Sequence, residues 1–183
     1  MVILAMTLSG IKLPAFHIFK GAMDGRIVRE FMDPPLGYPQ SIVYSVQPKA
    51  WDDCATHKQW IEKVWWPFCE QRGQSTYLIN DEFKVHLMGD IVRLTQERGT
   101  EVEFIPGGYT GALQVLDKGV NKPFKNHYRS QQLRWQINND ENAKPKRHDV
   151  ANWIQAAWDR VTVESIRNTW NSIGIKAWEP LME

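Results

Sequence analysis

Runs of β-favouring residues fill the first part of the chain. VILAMTLSG and KLPAFHIFKG are separated by Ser9-Gly10-Ile11, which predicts a β-hairpin. SIVYSV, STYLIND and EVEFIP predict three further strands, and the second of these ends at Asp81. Gly107 and Gly108 follow the last strand and allow a tight turn there.

Apolar residues recur at helical spacing after the third, fourth and fifth strands. Pro67 is expected to end or kink the first of these helices, and residues 112–137 predict a helix that restarts or kinks at Pro123. Beyond the polar stretch NNDENAKPKRH, two apolar stripes predict a final pair of helices, with Thr162 as the N-cap of the second.

The order of the predicted elements, β-β-β-α-β-α-β-α followed by helices, favours an α/β fold with a mixed sheet covered by helices. We expect residues 1–137 to form the core, residues 138–147 a polar linker, and residues 148–183 a C-terminal helical extension packed on the core. Ligands of such sheets gather at the carboxyl ends of the parallel strands, and Asp81 lies at one of these ends.

The composition is typical of a single globular domain. The chain has 183 residues, 43% hydrophobic and 23% charged, and its nine Trp residues are expected to dominate the core. The net charge of +1 argues neither for nor against a nucleic-acid partner. No apolar run approaches membrane-spanning length, so no membrane partner is expected.

The charges are unevenly distributed. In IPGGYTGALQVLDKGVNKPFK, residues 105–125, Asp117 is the one acidic residue, and eight basic residues against two acidic ones lie between positions 118 and 147. This pattern is typical of a solvated basic surface, and equally of a metal-binding acid beside a face that binds phosphates.

Cys54 and Cys69 indicate a reducing compartment without a disulfide framework. With His57 they offer the ligand types of a zinc site, but the spacing is not that of a zinc finger, and buried structural thiols are the favoured interpretation. KPKRH, residues 144–148, is interpreted as a basic loop or as a nuclear localisation signal; the expected location is the nucleus, or otherwise the cell interior.

Several blocks of the chain, taken together and in order, resemble one known family. LAMTLSGIKLPAFHIFKG, YLINDEFKVH, VEFIPGGYTGALQVLDKGVNKPFK and VANWIQAAWDRVTVESIRNTWNSIGI are similar to the DDE-superfamily endonuclease domain of pogo- and Jerky-like transposases, a group related to centromere protein B. The resemblance extends from Val2 to Ile175. It implies a ribonuclease-H-like fold, and three acids that hold two Mg²⁺ or Mn²⁺ ions for the cleavage and joining of DNA strands.

The resemblance assigns roles to three residues. It implies that Asp81 is the second acid and Asp117 the third, both of them catalytic metal ligands. His86 also matches a family position, in a D-x4-H pattern, and either takes part in catalysis or fixes the turn after the strand. Two ions about 4 Å apart can activate an attacking oxygen and stabilise the leaving one, provided that their carboxylate ligands are strictly placed.

Residues around Asp117 supply two further predictions. The basic side chains that follow it are expected to contact the DNA backbone in a salt-sensitive manner. They are Lys118, Lys122, Lys125 and Arg129. Gly107 and Gly108 are expected to form the tight turn before them, and Thr110 to cap the helix that follows.

The chain departs from the family pattern at its first acid, which the family carries on a central strand ahead of the present hairpin. Asp24 is the first acidic residue here, and Glu82 points away from the Asp81 face, so the expected fold lacks its first central strand. Its absence leaves the two flanking strands with unpaired edges. We interpret this as an N-terminal truncation; closure of the remaining strands, or a strand donated by a partner chain, are the alternatives, and a homodimer is the other assembly considered.

A smaller departure is Val115, where the family usually has proline, so the orientation of Asp117 is less firmly set.

Three functions follow as hypotheses. The first is a DNA endonuclease or strand-transfer domain, impaired by the lack of the first acid. The second is a non-catalytic DNA-binding protein derived from a transposon, and the third is a scaffold built on the Trp-rich helices.

Overall fold

Five strands form two separate sheets in the computed structural model, which describes residues 1–32, 36–73 and 75–175. In the first sheet, β2 (Phe16–Lys20) lies between antiparallel β1 (Val2–Ile3) and parallel β3 (Val43–Gln47). In the second, β4 (Thr76–Asp81) and β5 (Thr100–Ile105) run parallel. A mixed α/β architecture is therefore confirmed, but as two small sheets rather than one.

The predicted hairpin joins β1 to β2. A bridge between Met6 and Lys12 extends it beyond the strands, and Gly10 turns the chain with a φ of 90°. A Cβ atom at Gly10 would lie 2.6 Å from Cγ1 of Val163, so the tip of the hairpin is pressed against the start of a C-terminal helix. Glycine is needed here both for its backbone conformation and for lack of space.

Eight α-helices and two π-helical segments surround the sheets in the described residues. They are α1 (Arg26–Phe31), α2 (Cys54–Trp60), a π-helical segment (Ile61–Trp65), α3 (Trp66–Arg72), α4 (Gly89–Gln96), α5 (Thr110–Leu113), a second π-helical segment (Leu116–Val120), α6 (Asn121–Ile137), α7 (Arg147–Asp159) and α8 (Val163–Ser172). Asp53 and Thr162 cap α2 and α8 through their side chains, and the Thr162 cap was predicted.

The two prolines do not interrupt the helices as predicted. Pro67 lies in the first turn of α3, directly after the first π-helical segment, and Pro123 lies in the first turn of α6 after the second. Proline has no amide hydrogen to donate to the helix. Because a wider π turn precedes each of these prolines, the missing hydrogen bond does not end the helix. The actual interruption of the 112–137 helix is at Gln114, whose ψ of 110° is extended.

The central strand β2 is buried on both faces. On one face, Leu4, Ala15 and Ile42 pack with α6, α7 and α8 residues such as Phe124 and Trp158. On the other face, Phe16 and Ile18 pack with residues from α2, α3, the first π-helical segment and β4. The C-terminal helices thus share a core with the hairpin.

Polar contacts also fix α7 and the segment before α8 on the hairpin. Trp158 donates its indole N–H to the carbonyl oxygen of Leu13 at 2.9 Å, and Nζ of Lys12 donates to the carbonyl oxygens of Trp158 and Val161. The packing of the helical extension is described up to Ile175; residues 176–183 of the predicted extension lie outside the described residues.

A cleft of about 480 Å³ separates the two sheets. One wall contains hairpin residues Ile3, Met6 and Leu8, and the other contains Tyr77 and Ile79 of β4. Tyr77 is 64% exposed and Ile79 is 40% exposed. Tyr and Ile are typical strand residues, whose side chains usually pack against neighbouring strands or helices. The remaining strands have therefore not closed into one sheet.

Candidate active site

Asp81 is the last residue of β4, and three groups hold its side chain. Nδ1 of His86 lies 2.8 Å from its Oδ1 and also donates to its carbonyl oxygen at 3.1 Å. The backbone N–H of Phe83 donates to Oδ1 at 3.2 Å, and the amide of Gln114 donates to Oδ2 at 3.1 Å. These bonds fix the carboxylate at the carboxyl end of a parallel strand, at one end of the cleft.

The hydrogen bonds also set the charge of the pair. The bond from His86 is the main reason why the pKa of Asp81 lies below its ordinary value, despite partial burial. Burial opposes protonation of His86, but its bonds to Asp81 and the charge of that carboxylate outweigh burial and raise the pKa of the imidazole. Asp81 is therefore ionised at neutral pH, as a ligand of a cation must be.

Gln114 connects Asp81 to the segment that bears Asp117. It lies between α5 and the second π-helical segment, and its backbone carbonyl accepts from Lys118. Its Oε1 is buried without a hydrogen-bond partner in the described part of the chain. An orphaned amide oxygen beside an ionised carboxylate is a donor set that fits a hard cation such as Mg²⁺.

Asp117 lies in the first turn of the second π-helical segment and is exposed. Its Oδ1 accepts a bond of 2.8 Å from the side chain of Asn121. Over the described residues, Asp117 does not join Asp81 and His86 in a group whose ligand atoms all lie within 4.8 Å of one another. The convergence of both aspartates on shared ions stays a prediction.

The Gly107–Gly108 turn is present, with Gly108 at a φ of 86° and the N–H of Tyr109 donating to the carbonyl oxygen of Pro106. Glu82 accepts from the N–H of Gly107 at 2.6 Å, so this acid holds the turn. The predicted cap at Thr110 is wrong. Because α5 begins at Thr110 itself, Tyr109 is the N-cap residue, and no side chain caps this helix.

The four predicted DNA-contacting residues are exposed and share one helical face. Lys118, Lys122, Lys125 and Arg129 follow one another at intervals of four, three and four along the second π-helical segment and α6. Within the described residues, none of the four forms an ion pair with an acidic side chain. Lys118 alone is directed to backbone carbonyls, those of Ala112 and Ser172 at 3.4 Å.

A second cluster adjoins His86. Asp52, His57 and His86 each place one ligand atom within 4.8 Å of the others, and among the described residues this is the group of three that could hold a metal ion. Neither Cys54 nor Cys69 belongs to this group, in keeping with the favoured interpretation of both as structural thiols, although Cys69 is buried and Cys54 only half-buried. Cys69 instead lies 3.4 Å from Oγ1 of Thr76, in a buried cluster with Thr100.

The family of the chain can now be stated from comparison with known proteins. The family model described as DDE superfamily endonuclease matches residues 2–170, nearly the whole chain. The chain belongs to this family. The DDE resemblance inferred from the sequence is thereby confirmed, and Asp81, the Gly107–Gly108 turn and Asp117 lie within the matched residues.

Two relatives of this DDE domain are both described as "Pogo transposable element with KRAB domain". The protein of Mus musculus is 29% identical over 174 residues, and that of Homo sapiens is 28% identical over 174 residues. Each alignment covers 89% of this chain and 27% of the relative, so the chain spans about a quarter of these longer proteins. No solved structure matches the chain.

Within residues 1–32, 36–73 and 75–175, every helix falls short of the length and apolar character that crossing a bilayer requires.

Proposed function

We propose that the chain is a transposase-derived DDE endonuclease domain that binds DNA, with metal-dependent strand cleavage and transfer as its ancestral activity. The observation that carries the proposal is the hydrogen bond between Gln114 and Asp81. In a member of the DDE family, it ties the carboxyl end of β4 to the helix entrance that bears Asp117, the predicted third acid. A ribonuclease-H-like arrangement of the strands is part of the same proposal.

Asp81 and Asp117 are the proposed ligands of Mg²⁺ or Mn²⁺. Asp81 is ionised and presented by His86, and the orphaned Oε1 of Gln114 supports a cation beside it. Asp117 joins by exchanging its bond to Asn121 for the ion, which an exposed side chain can do by rotating. Bound divalent ions would activate the attacking oxygen and stabilise the leaving one in phosphoryl displacement.

The basic face beyond Asp117 is the proposed DNA track. Its exposed cations follow one helical face and begin next to the proposed metal ligand. Charges without acidic partners retain their full attraction for phosphates, and contact with DNA releases condensed counterions. A domain that acts on DNA in this way would work in the nucleus.

The family's first acid, in this proposal, reaches Asp81 on an extended strand that lies in the cleft between the sheets. The cleft is lined by the free edge strand β1 and its hairpin and by β4, so both walls offer backbone groups to an added strand. Such a strand, in a longer polypeptide or in a different partner, is not among these 183 residues; a second copy of the chain does not supply it, because its first acidic residue is Asp24, between β2 and α1.

The proposal is tested by DNA binding and cleavage with a strand supplied in trans. A peptide of alternating apolar residues that ends in Asp-Glu is added to the chain, with Mn²⁺ and supercoiled plasmid. We expect the peptide to bind and nicking to appear, and a peptide interrupted by proline to fail in both respects. Asp81→Asn and Asp117→Asn should abolish nicking, whereas the exposed Asp140→Asn should not.

Each result has a defined meaning. If the wild-type chain binds DNA but never nicks it, with or without the peptide, and the two Asp variants bind DNA equally well, the result would support a non-catalytic DNA-binding protein and contradict the endonuclease. Failure to bind DNA at low salt would contradict both.

A further inference from the structure

His57 is a buried histidine whose function the proposed cleavage site does not explain. It lies in α2 with 2% of its surface exposed, and its Nδ1 donates to Oδ2 of Asp52 at 2.7 Å. Asp52 is itself 7% exposed and accepts at Oδ1 from the hydroxyl of Thr56. Nε2 of His57 is buried and has no partner in the described part of the chain.

The imidazole of His86, in the connection that follows β4, lies next to the imidazole of His57. The two ring centroids lie 4.9 Å apart, and Nδ1 of His86 is occupied by Asp81 just as Nδ1 of His57 is occupied by Asp52. Each imidazole therefore carries a carboxylate behind Nδ1 and keeps Nε2 for another partner. Both histidines and Asp81 line the cleft between the sheets.

This arrangement is that of histidines prepared for a metal ion. A ligating histidine typically donates its other ring N–H to a carboxylate, which fixes the tautomer and raises the basicity of the ligating nitrogen. One ligand atom each of Asp52, His57 and His86 lies within 4.8 Å of the other two. Two imidazole nitrogens suit Zn²⁺ and similar first-row ions, whose remaining positions water can fill, whereas Mg²⁺ prefers oxygen ligands alone.

We propose that His57 and His86 bind Zn²⁺ through their Nε2 atoms, with Asp52 orienting His57 from behind Nδ1, at a site distinct from the Mg²⁺ or Mn²⁺ ligands at Asp81 and Asp117. A buried Asp–His pair without a metal would explain the bond between Asp52 and His57, but it would leave Nε2 of His57 unsatisfied in the interior. The ion supplies the missing partner.

The ion would also link the two sheets. His57 belongs to α2, which follows β3 of the first sheet, and His86 belongs to the connection that follows β4 of the second. A metal shared between them holds these elements together across the end of the cleft, and fixes the imidazole that presents Asp81. The inference does not rest on the proposed DNA cleavage, since binding at this site requires neither DNA nor Asp117.

The test uses Co²⁺ as a spectroscopic probe and Zn²⁺ as its competitor. We expect the wild-type chain to bind about one Co²⁺ with visible absorption bands, to release it to Zn²⁺ but not to excess Mg²⁺, and to gain thermal stability with Zn²⁺. His57→Phe and the half-buried His86→Gln should each weaken Co²⁺ binding at least about tenfold. Cys54→Ser and His127→Gln are matched controls that should bind as the wild type does.

The wild-type measurement decides the proposal even if His57→Phe does not fold. Absence of stoichiometric Co²⁺ and Zn²⁺ binding by the wild type overturns it, as does undiminished binding by folded His86→Gln, or loss of binding in Cys54→Ser. Asp117→Asn separates the two metal sites: it should retain Co²⁺ bands at the histidines while losing Mn²⁺-dependent nicking.

Discussion

The side-chain amide of Gln114 donates to Oδ2 of Asp81 across 3.1 Å, between the interruption of a helix and the end of a strand. The bond links two segments that are 33 residues apart in sequence. Because Gln114 immediately precedes the turn that carries Asp117, the position of Asp81 relative to Asp117 depends on this contact.

Gln114→Ala is expected to lower the affinity for Mn²⁺ by about 10- to 100-fold, the usual cost of removing a group that orients a metal ligand. The replacement deletes both the donor to Asp81 and the orphaned Oε1. Titration followed by electron paramagnetic resonance measures the affinity. Gln132→Ala, at an exposed position of α6, is the control; equal Mn²⁺ affinities in the two variants would contradict the role of Gln114.

The basic face predicts a change in the salt dependence of DNA binding. Replacing Lys122, Lys125 and Arg129 together with Gln should weaken binding and reduce the slope of log K against log salt by about 2 to 3, because up to three phosphate contacts are lost. Fluorescence anisotropy at several salt concentrations measures both.

The control for that variant removes the same charge from exposed lysines elsewhere. These are Lys20, Lys49 and Lys63. An equal loss of slope in the control would mean that DNA binding follows net charge rather than the face beyond Asp117.

His17 predicts a pH dependence of stability. It lies in β2 with 6% of its surface exposed, its Nδ1 has no partner in the described part of the chain, and burial lowers its pKa from 6.5 to about 3. Between these two values the unfolded chain binds a proton at His17 and the folded chain does not. The free energy of unfolding therefore falls as pH drops below 6.5, by about 1.4 kcal/mol per unit.

His17→Phe should remove this contribution. Between pH 7 and pH 5, the wild type should lose about 2 kcal/mol more of its unfolding free energy than the variant does. Urea unfolding at the two pH values measures the difference. Parallel losses in the two proteins would show that His17 does not remain neutral in the folded state.

Gly119 marks a close approach between the second π-helical segment and α8. A Cβ atom at Gly119 would lie 2.7 Å from Cγ2 of Thr169, a buried residue. Gly119→Ala should therefore destabilise the fold by about 1 to 3 kcal/mol through overpacking. Gly111→Ala is the control, because a Cβ there meets nothing within 4 Å; equal thermal unfolding temperatures for the two variants would contradict the close approach.

The sequence predicted the elements that its periodicity defines. β4 ends at Asp81 as expected, the hairpin turns at Gly10, and Thr162 caps α8. These features depend on residues close together in the chain, where local propensity and burial agree. The family resemblance could also be recognised from the sequence, because it rests on several sequence blocks that occur in the same order as in the family.

Features that depend on tertiary contacts were not predictable in the same way. Asp52 carries no motif, and only the fold brings it with His57 to His86. The sequence predicted the interruption at Pro123, but the helix breaks at Gln114. Pro123 does not break it, because proline in the first turn of a helix requires no change in the backbone. Pairings between distant segments decide which strand edges stay unpaired. The cleft between the sheets could be expected only from the family resemblance.

The most direct test of the account is a crystal structure of the chain with Mn²⁺ and the Asp-Glu strand peptide, with the ions located by anomalous scattering. The account predicts ions bound by carboxylate oxygens of both Asp81 and Asp117 at about 2.2 Å, with Asn121 released from Asp117. Ions that bind Asp81 without Asp117, or Asp117 still bonded to Asn121 in the loaded protein, would contradict it.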